Sequence, residues 1–141
     1  MFQVAIDIAK SLQRMNQNRI LEKAVSNNQI KAEIIDLNQS QLQSGVDSEG
    51  DSTGEYSSTS INVYGKTPGR ITLKDTGEFY DSMKVGQDSD EFFVTGNTNK
   101  EGGVDLLDRW PDAMGLTDGS LDEIMPAITE ETIEIILNEI I

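Results

Sequence analysis

The chain contains neither cysteine nor histidine among its 141 residues. Without thiols it forms no disulfide and offers no thiolate ligand to a metal ion. Without imidazole it lacks the commonest general base and the commonest transition-metal ligand. Serine and lysine are present, but no nucleophile elbow, Ser-x-x-Lys box or glycine-rich phosphate loop surrounds them. We therefore expect a protein that is not an enzyme and that has no catalytic residues, cofactor or metal site.

Apolar residues are also scarce, since hydrophobic types make up 36% of the chain and aromatic types 6%. The length suits one domain, so we expect a single domain over residues 1–141 with a modest core. No stretch has the roughly 20 apolar residues that span a bilayer. Asp7 and Lys10 interrupt the apolar N-terminus, which has no small-residue cleavage site. We expect no membrane partner and a location in the cytoplasm of the cell that makes the protein.

Basic residues are also few: the chain has 11 of them and 25 acidic residues, so the formal net charge is −14. A field of that sign repels nucleic-acid phosphates and anionic lipids, which argues against specific binding to either. Two interpretations of the acidic surface remain open. It keeps the protein well solvated, or it lines a channel through which DNA slides without sticking.

One acidic stretch alternates its carboxylates as a calcium loop does. Asp47, Glu49 and Asp51 fall at every second position. An EF-hand loop needs glycine at its sixth position and a bidentate glutamate at its twelfth. Counted from Asp47, these positions hold Ser52 and Ser58, so the register is wrong. We interpret the stretch as an acidic turn.

Apolar residues at three- and four-residue spacing predict helices in an N-terminal arm, residues 1–44. The spaced residues are Val4, Ile8, Leu12, Met15, Ile20, Leu21, Ala24, Ile30, Ile34 and Leu37. Asn27 and Asn28 offer either a break or an N-cap, and Gly45 is well placed as a C-terminal stop. The alternative is one long, bent helix from about residue 3 to residue 43.

The arm is followed by a stretch almost without apolar residues, which predicts a flexible loop at residues 45–60. A small antiparallel β unit with short helices is expected over residues 61–114. Within it, residues 61–64 are predicted to be briefly extended, and a short helix is predicted from Val104 to Trp110.

The centre of this unit is predicted to be a hairpin. Residues 84–86 and 91–95 have the pattern of two strands around a polar turn. A short helix is expected just before them, over residues 77–83, with Asp75 or Thr76 as its cap. Five aromatic side chains are expected to join the unit to its helices as core residues. They are Phe79, Tyr80, Phe92, Phe93 and Trp110.

A long apolar helix is predicted at residues 116–141. Ser120 is a candidate N-cap with Glu123 at the capping-box position. Pro126 should kink or restart the helix, with Thr129 as a second cap. The order of helices, small β unit and helices predicts an α+β fold.

The apolar residues of this last helix occupy more than one face, so one face is a candidate interface with another subunit or another protein. The candidate interface residues are Ile133, Ile136, Leu137 and Ile140.

Four short motifs resemble a family of small proteins of tailed phages and prophages from Bacteroidetes hosts. They are GVDSEG at 45–50, GEYS at 54–57, LKDTGEFYDSM at 73–83 and GLTD at 115–118, the last followed by Leu121. The resemblance covers most of residues 45–125. The motif residues singled out are Gly45, Asp47, Gly50, Tyr56, Leu73, Thr76, Gly77, Phe79, Tyr80 and Ser82.

The T-G-x-F piece followed by a hairpin is also similar to tail-completion and head–tail joining proteins of other tailed phages. The resemblance implies a virion structural or morphogenesis protein of the neck or tail. It implies partners among neck, tail or portal-proximal proteins, a homo-oligomer, and DNA that at most passes through a channel. Its location would be the host cytoplasm during assembly and then the virion. The alternative is a soluble acidic interaction protein, such as an adaptor, a chaperone or a DNA-mimic inhibitor.

Overall fold

A computed structural model describes residues 17–66, 68–88, 91–100 and 103–140. Within these ranges the helices are α1 (Gln17–Val25), α2 (Asn28–Gln43), α3 (Ser58–Asn62), α4 (Glu78–Asp81), α5 (Leu106–Arg109) and α6 (Asp118–Ile140). The strands are β1 (Lys84–Asp88), β2 (Glu91–Thr95), β3 (Asn99–Lys100) and β4 (Val104–Asp105). The predicted α+β class is confirmed.

In the described part of the N-terminal arm, residues 17–44, Asn27 separates two helices. This residue has an extended backbone, and its side-chain oxygen accepts hydrogen bonds from the amides of Gln29 at 2.9 Å and Ile30 at 3.2 Å. An N-cap of this kind starts a new helix, so the alternative of one long helix is wrong at this point. The predicted helix over residues 1–16 lies outside the described residues.

The end of α2 is a Schellman motif built on Gly45. The amide of Gly45 donates to the carbonyl of Leu42, and the amide of Val46 donates to the carbonyl of Gln41, both at 2.9 Å. Gly45 has a φ of +75°, which a residue without a Cβ adopts at little cost. The predicted stop at Gly45 is confirmed.

The predicted hairpin is confirmed as the antiparallel pair β1–β2, in which Val85 faces Val94 and Gly86 faces Phe93. A second pair, β3–β4, was not predicted, because two-residue strands leave no alternation to detect. Phe93 is exposed, so its predicted place in the core is wrong. Side chains alternate along a strand, and its ring lies on the outer face over Gly86, where an added Cβ would be 2.6 Å from the ring.

The core lies where α6 packs against α1 and α2, with the hairpin on α2. Its largest fully buried apolar side chains are Val25, Ile34, Leu42 and Ile124. Phe79 and Tyr80 are buried beside them with their rings edge to face at 6.2 Å. Phe92 and Trp110 are partly buried against the same core.

Two local predictions in the second half are wrong. Residues 61–64 are not extended, because Ser57 accepts a hydrogen bond from the amide of Ser60 at 3.1 Å and starts α3. The predicted cap Ser120 is also wrong: helix α6 begins at Asp118, and the amide of Ser120 donates to the Thr117 hydroxyl at 3.1 Å, so Thr117 is the cap. Both caps accept from the amide three residues on, but Ser60 and Ser120 stand where a capping box has glutamate or glutamine.

Helix α6 also runs unbroken through Pro126, so Thr129 does not act as a second cap. An interior proline costs about 3 kcal/mol of helix stability. Ile124 and Ile128 are buried on either side of it. Burial of each such side chain contributes about 2 kcal/mol, which offsets the cost of the proline.

Candidate functional site

The acidic turn after α2 is closed by Asp47. One carboxylate oxygen accepts from the amides of Glu49 at 2.9 Å and Asp51 at 3.0 Å. Gly50 turns the chain with a φ of +84°. Among the described residues no group of three or more acidic side chains is placed to hold a metal ion. The carboxylate of Asp47 therefore orders its own loop.

The loop predicted to be flexible is pinned to two distant segments. The amide of Ile71 donates to the carbonyl of Gly54 at 2.8 Å, and the indole N–H of Trp110 donates to the carbonyl of Thr53 at 2.8 Å. The Thr53 hydroxyl donates in turn to the carbonyl of Ile71. Sequence reasoning missed Thr53, which is buried although its neighbours are polar.

The residues of the third motif hold α4 in place. Thr76 accepts from the amide of Glu78 at 3.3 Å, and Gly77 has a φ of +87°. The Ser82 hydroxyl donates to the carbonyl of Phe79 and accepts from the amide of Asn97, both at 2.7 Å. Ser82 thus ties α4 to the chain that leaves β2.

Two buried amides on α2 clasp the chain just before α6. Asn38 donates to the carbonyl of Ala113 at 3.0 Å and accepts from the amide of Gly115 at 2.8 Å. Gln41 donates to the carbonyl of Gly115 at 2.9 Å and accepts from the amide of Thr117 at 2.9 Å. We call this the amide clasp. It fixes where α6 begins.

A cleft of about 570 Å³ opens between the end of α2 and residues 66–74. We call it the cationic cleft. The residues whose polar or aromatic groups define it are Ser44, Tyr56, Lys66, Arg70, Thr72 and Lys74. Residues 56–74 include three basic residues and no acidic one, although the whole chain has a net charge of −14. The lining of the cleft is therefore cationic, and the acidic residues nearest to it along the chain are Glu55 and Asp75.

Each cation of the cleft is held by a neighbour. The Lys66 ammonium lies 3.0 Å from an oxygen of Asp75 and 5.8 Å from the centre of the Tyr56 ring. The hydrogen bond and the charge of Lys66 lower the pKa of the Asp75 carboxyl. The Lys74 ammonium lies 5.7 Å from the centre of the Tyr80 ring. Cations over aromatic faces are attracted by the ring quadrupole.

Arg70 is positioned by backbone geometry. Its stem lies directly against Gly45, where an added Cβ would be 2.3 Å from the Arg70 Cβ. Its guanidinium donates to the carbonyl of Ser44 at 3.5 Å. Leu73, between the cations at 70 and 74, is buried with a φ of +59°, a conformation rare for a non-glycine residue. Of the motif residues, Tyr56 thus lines the cleft, and Gly45 and Tyr80 contact its cations.

Tyr80 makes the fold sensitive to alkali. Burial, with a smaller contribution from Tyr56, raises the pKa of the Tyr80 phenol from 10.0 to about 12. The unfolded chain then loses this proton at lower pH than the folded chain does. The stabilisation is fully present below pH 10 and declines as pH rises toward about 12. We expect denaturant midpoints to fall over this range, and to fall less in Tyr80→Phe. An equal fall in both proteins would contradict this role.

The last helix presents a second surface. Ile124 and Ile128 are buried, whereas Met125, Ile133 and Leu137 are exposed, the last two to 52% and 45%. We call Met125, Ile133 and Leu137 the α6 stripe. Of the other predicted interface residues, Ile136 is half-buried and the side chain of Ile140 lies outside the described part.

The α6 stripe is bordered by carboxylates. Asp122, Glu130 and Glu134 share a shallow groove with Met125 and Ile133. Helix α6 contains seven acidic residues and no basic one. No helix in the described ranges is long and apolar enough to cross a membrane. The α6 stripe is thus an exposed apolar strip whose neighbours on the same helix are acidic.

Comparisons with protein-family models, with curated proteins and with solved structures find no match to this chain.

Proposed function

We propose that this protein is a structural component of a tailed-phage virion, of the neck or tail-completion type, and that it acts by assembling with copies of itself. The α6 stripe carries this proposal. Its side chains stand at multiples of four residues, so they share one helix face. That face lies away from the buried side of α6. An exposed apolar strip rimmed by polar residues is typical of a protein-binding surface.

The energy available at the stripe suits an assembly contact. Covering the exposed part of each of its three side chains contributes about 1 kcal/mol. Such a contact alone is weak, so a stable assembly also needs polar complementarity around it. The carboxylates that border the stripe provide the polar groups on one side of the contact.

The roles of the motif residues support action by contact. Asp47, Thr76 and Ser82 use their oxygen atoms to accept hydrogen bonds from backbone amides. Gly45 and Gly77 supply backbone angles that other residues adopt at a cost. Hydrogen bonds and turns of this kind are consistent with a rigid building block. The three clustered cations also argue against a DNA mimic, whose surface needs unbroken negative charge.

Charge on the α6 stripe is expected to weaken self-association strongly. In Ile133→Asp/Leu137→Asp, two carboxylates replace apolar groups that the contact would cover, and burying them is costly. We expect the association constant to fall at least about tenfold, measured by light scattering over a concentration series. The matched control is Val104→Asp, since Val104 is also exposed, to 56%, but lies on β4. Association of the stripe variant as tight as that of the control would contradict the proposal.

The virion role is tested with particles of a phage that encodes this chain. We expect purified particles to contain the protein at a fixed number of copies, measured by quantitative mass spectrometry. Particles made with Ile133→Asp/Leu137→Asp should lack it, and those made with Val104→Asp should retain it. Absence of the wild-type protein from finished particles would favour an adaptor or a chaperone.

A further inference from the structure

We infer that the cationic cleft receives helix α6 of a second copy of this chain, so that copies join head to tail. This inference rests on the proposed function, since it names the partner of the α6 stripe. Two observations lead to it. One is the arrangement of like charges around the stripe. The other is the exposed surface next to the cleft.

Like charge argues against a contact between two stripes. A twofold contact of this kind would bring Asp122, Glu130 and Glu134 of one copy against the same residues of the other. Like charges facing each other across an interface cost several kcal/mol. A twofold contact would cover six stripe side chains and gain about 6 kcal/mol in all, and the facing carboxylates would cancel much of that gain. The stripe therefore needs a partner surface that carries positive charge.

The chain has one described segment with that chemistry. Residues 56–74 are free of acidic residues and include Lys66, Arg70 and Lys74. Just before Lys66, the side chains of Val63 and Tyr64 are exposed to 69% and 74%. This segment combines apolar and cationic groups, as the α6 stripe combines apolar and anionic ones. The two surfaces are complementary in both respects.

The cleft is also prepared for carboxylates. The contacts that hold Arg70 and Lys74 are with uncharged groups, whereas the Lys66 ammonium is already paired with Asp75. Little side-chain entropy is therefore lost when carboxylates of a partner bind Arg70 and Lys74. Glu130 and Glu134 stand one helical turn apart on α6 and can meet two cations together. Because the two surfaces lie on different parts of the chain, their contact is heterologous. Repetition of such a contact gives a ring if it closes, and a filament otherwise.

A mixing experiment tests this arrangement. Arg70→Glu/Lys74→Glu blocks the cleft and leaves the stripe intact, while Ile133→Asp/Leu137→Asp blocks the stripe and leaves the cleft intact. We expect each variant alone to sediment as a monomer. An equimolar mixture should form a 1:1 dimer and nothing larger, because each protein retains one working surface. Circular dichroism establishes that each variant is folded.

The control for net charge is Lys84→Glu/Arg109→Glu, which changes the charge equally at two exposed residues away from the cleft. It should assemble as the wild type does. Charge exchange gives a second readout: Glu130→Lys/Glu134→Lys should bind the cleft variant at least tenfold more tightly than wild-type α6 does.

The outcomes separate the two proposals. If the cleft variant assembles as the wild type does, or if the mixture forms no dimer, the head-to-tail inference is wrong while assembly through the stripe stands. If the wild type is monomeric and Ile133→Asp/Leu137→Asp lowers its melting temperature, the stripe is covered within its own chain. That result would overturn both proposals.

Discussion

Asn38→Ala is expected to lower the free energy of unfolding by about 3 kcal/mol, measured by urea denaturation. The substitution removes both hydrogen bonds that this buried side chain makes with the chain before α6. The carbonyl of Ala113 and the amide of Gly115 then stay in the interior without partners. Each buried polar group left unpaired costs about 1–3 kcal/mol. The unpaired groups lie in the segment just before α6, so the start of this helix is the part of the fold that the substitution weakens.

The matched control is Asn28→Ala, the same substitution at an exposed residue in the first turn of the same helix. It should change stability by less than about 0.5 kcal/mol. Gln41→Ala should resemble Asn38→Ala, and the double variant should lose less than the sum, because both amides hold one segment. Equal effects of Asn38→Ala and Asn28→Ala would contradict the role of the clasp.

Gly45→Ala is expected to lower the free energy of unfolding by about 2–5 kcal/mol and to weaken assembly. A φ of +75° costs a residue with a Cβ about 1–2 kcal/mol. The new Cβ would also lie 2.3 Å from the Arg70 Cβ and 2.5 Å from its Cδ. The added Cβ would clash with the part of the Arg70 side chain closest to the backbone, so a change of rotamer does not relieve the clash and the whole residue has to move. Such overpacking costs a further 1–3 kcal/mol or so.

Gly50→Ala measures the first part of this effect, the cost of the backbone angle. Gly50 has a similar φ of +84°, but nothing lies within 4 Å of an added Cβ. It should therefore show the cost of the backbone angle alone and leave assembly unchanged. If both alanine variants lose equal stability and assemble equally, Gly45 does not position Arg70.

The elements that sequence predicts well here are those with a local cause. Asn27 caps α2 by accepting from the amides two and three residues after it, and Gly45 ends the same helix with its own backbone angle. The β1–β2 hairpin depends on alternation within ten residues or so. In each case the deciding atoms lie within a few positions along the chain.

The predictions that were wrong concern two things that local sequence does not decide: which of several residues caps a helix, and which face of an element packs into the core. Ser57 starts a helix just before residues predicted to be extended, and Thr117 caps α6 in place of Ser120. Sequence spacing alone decides neither outcome. The continuity of α6 through Pro126 depends on burial of Ile124 and Ile128 against other helices. The exposure of Phe93 depends on which face of the hairpin meets α2.

The candidate sites also differ in how much of each could be predicted from local sequence. The amide clasp left a trace in the sequence, since Asn38 continues the apolar stripe one turn after Ile34, but its partners are about 75 residues away. The exposure of Ile133 and Leu137 agrees with the surplus of apolar residues on the last helix. The cationic cleft escaped sequence reasoning, because its tyrosine and its cations meet only when the chain folds. The phage resemblance stays a prediction.

Assembly is tested most directly by sedimentation equilibrium of the wild-type protein from micromolar to millimolar concentration. The chain alone has a mass of 15.5 kDa. We expect the weight-average mass to rise with concentration toward a multiple of that value, and to stay at the monomer value for Ile133→Asp/Leu137→Asp. A wild-type mass of 15.5 kDa at every concentration would contradict assembly through α6.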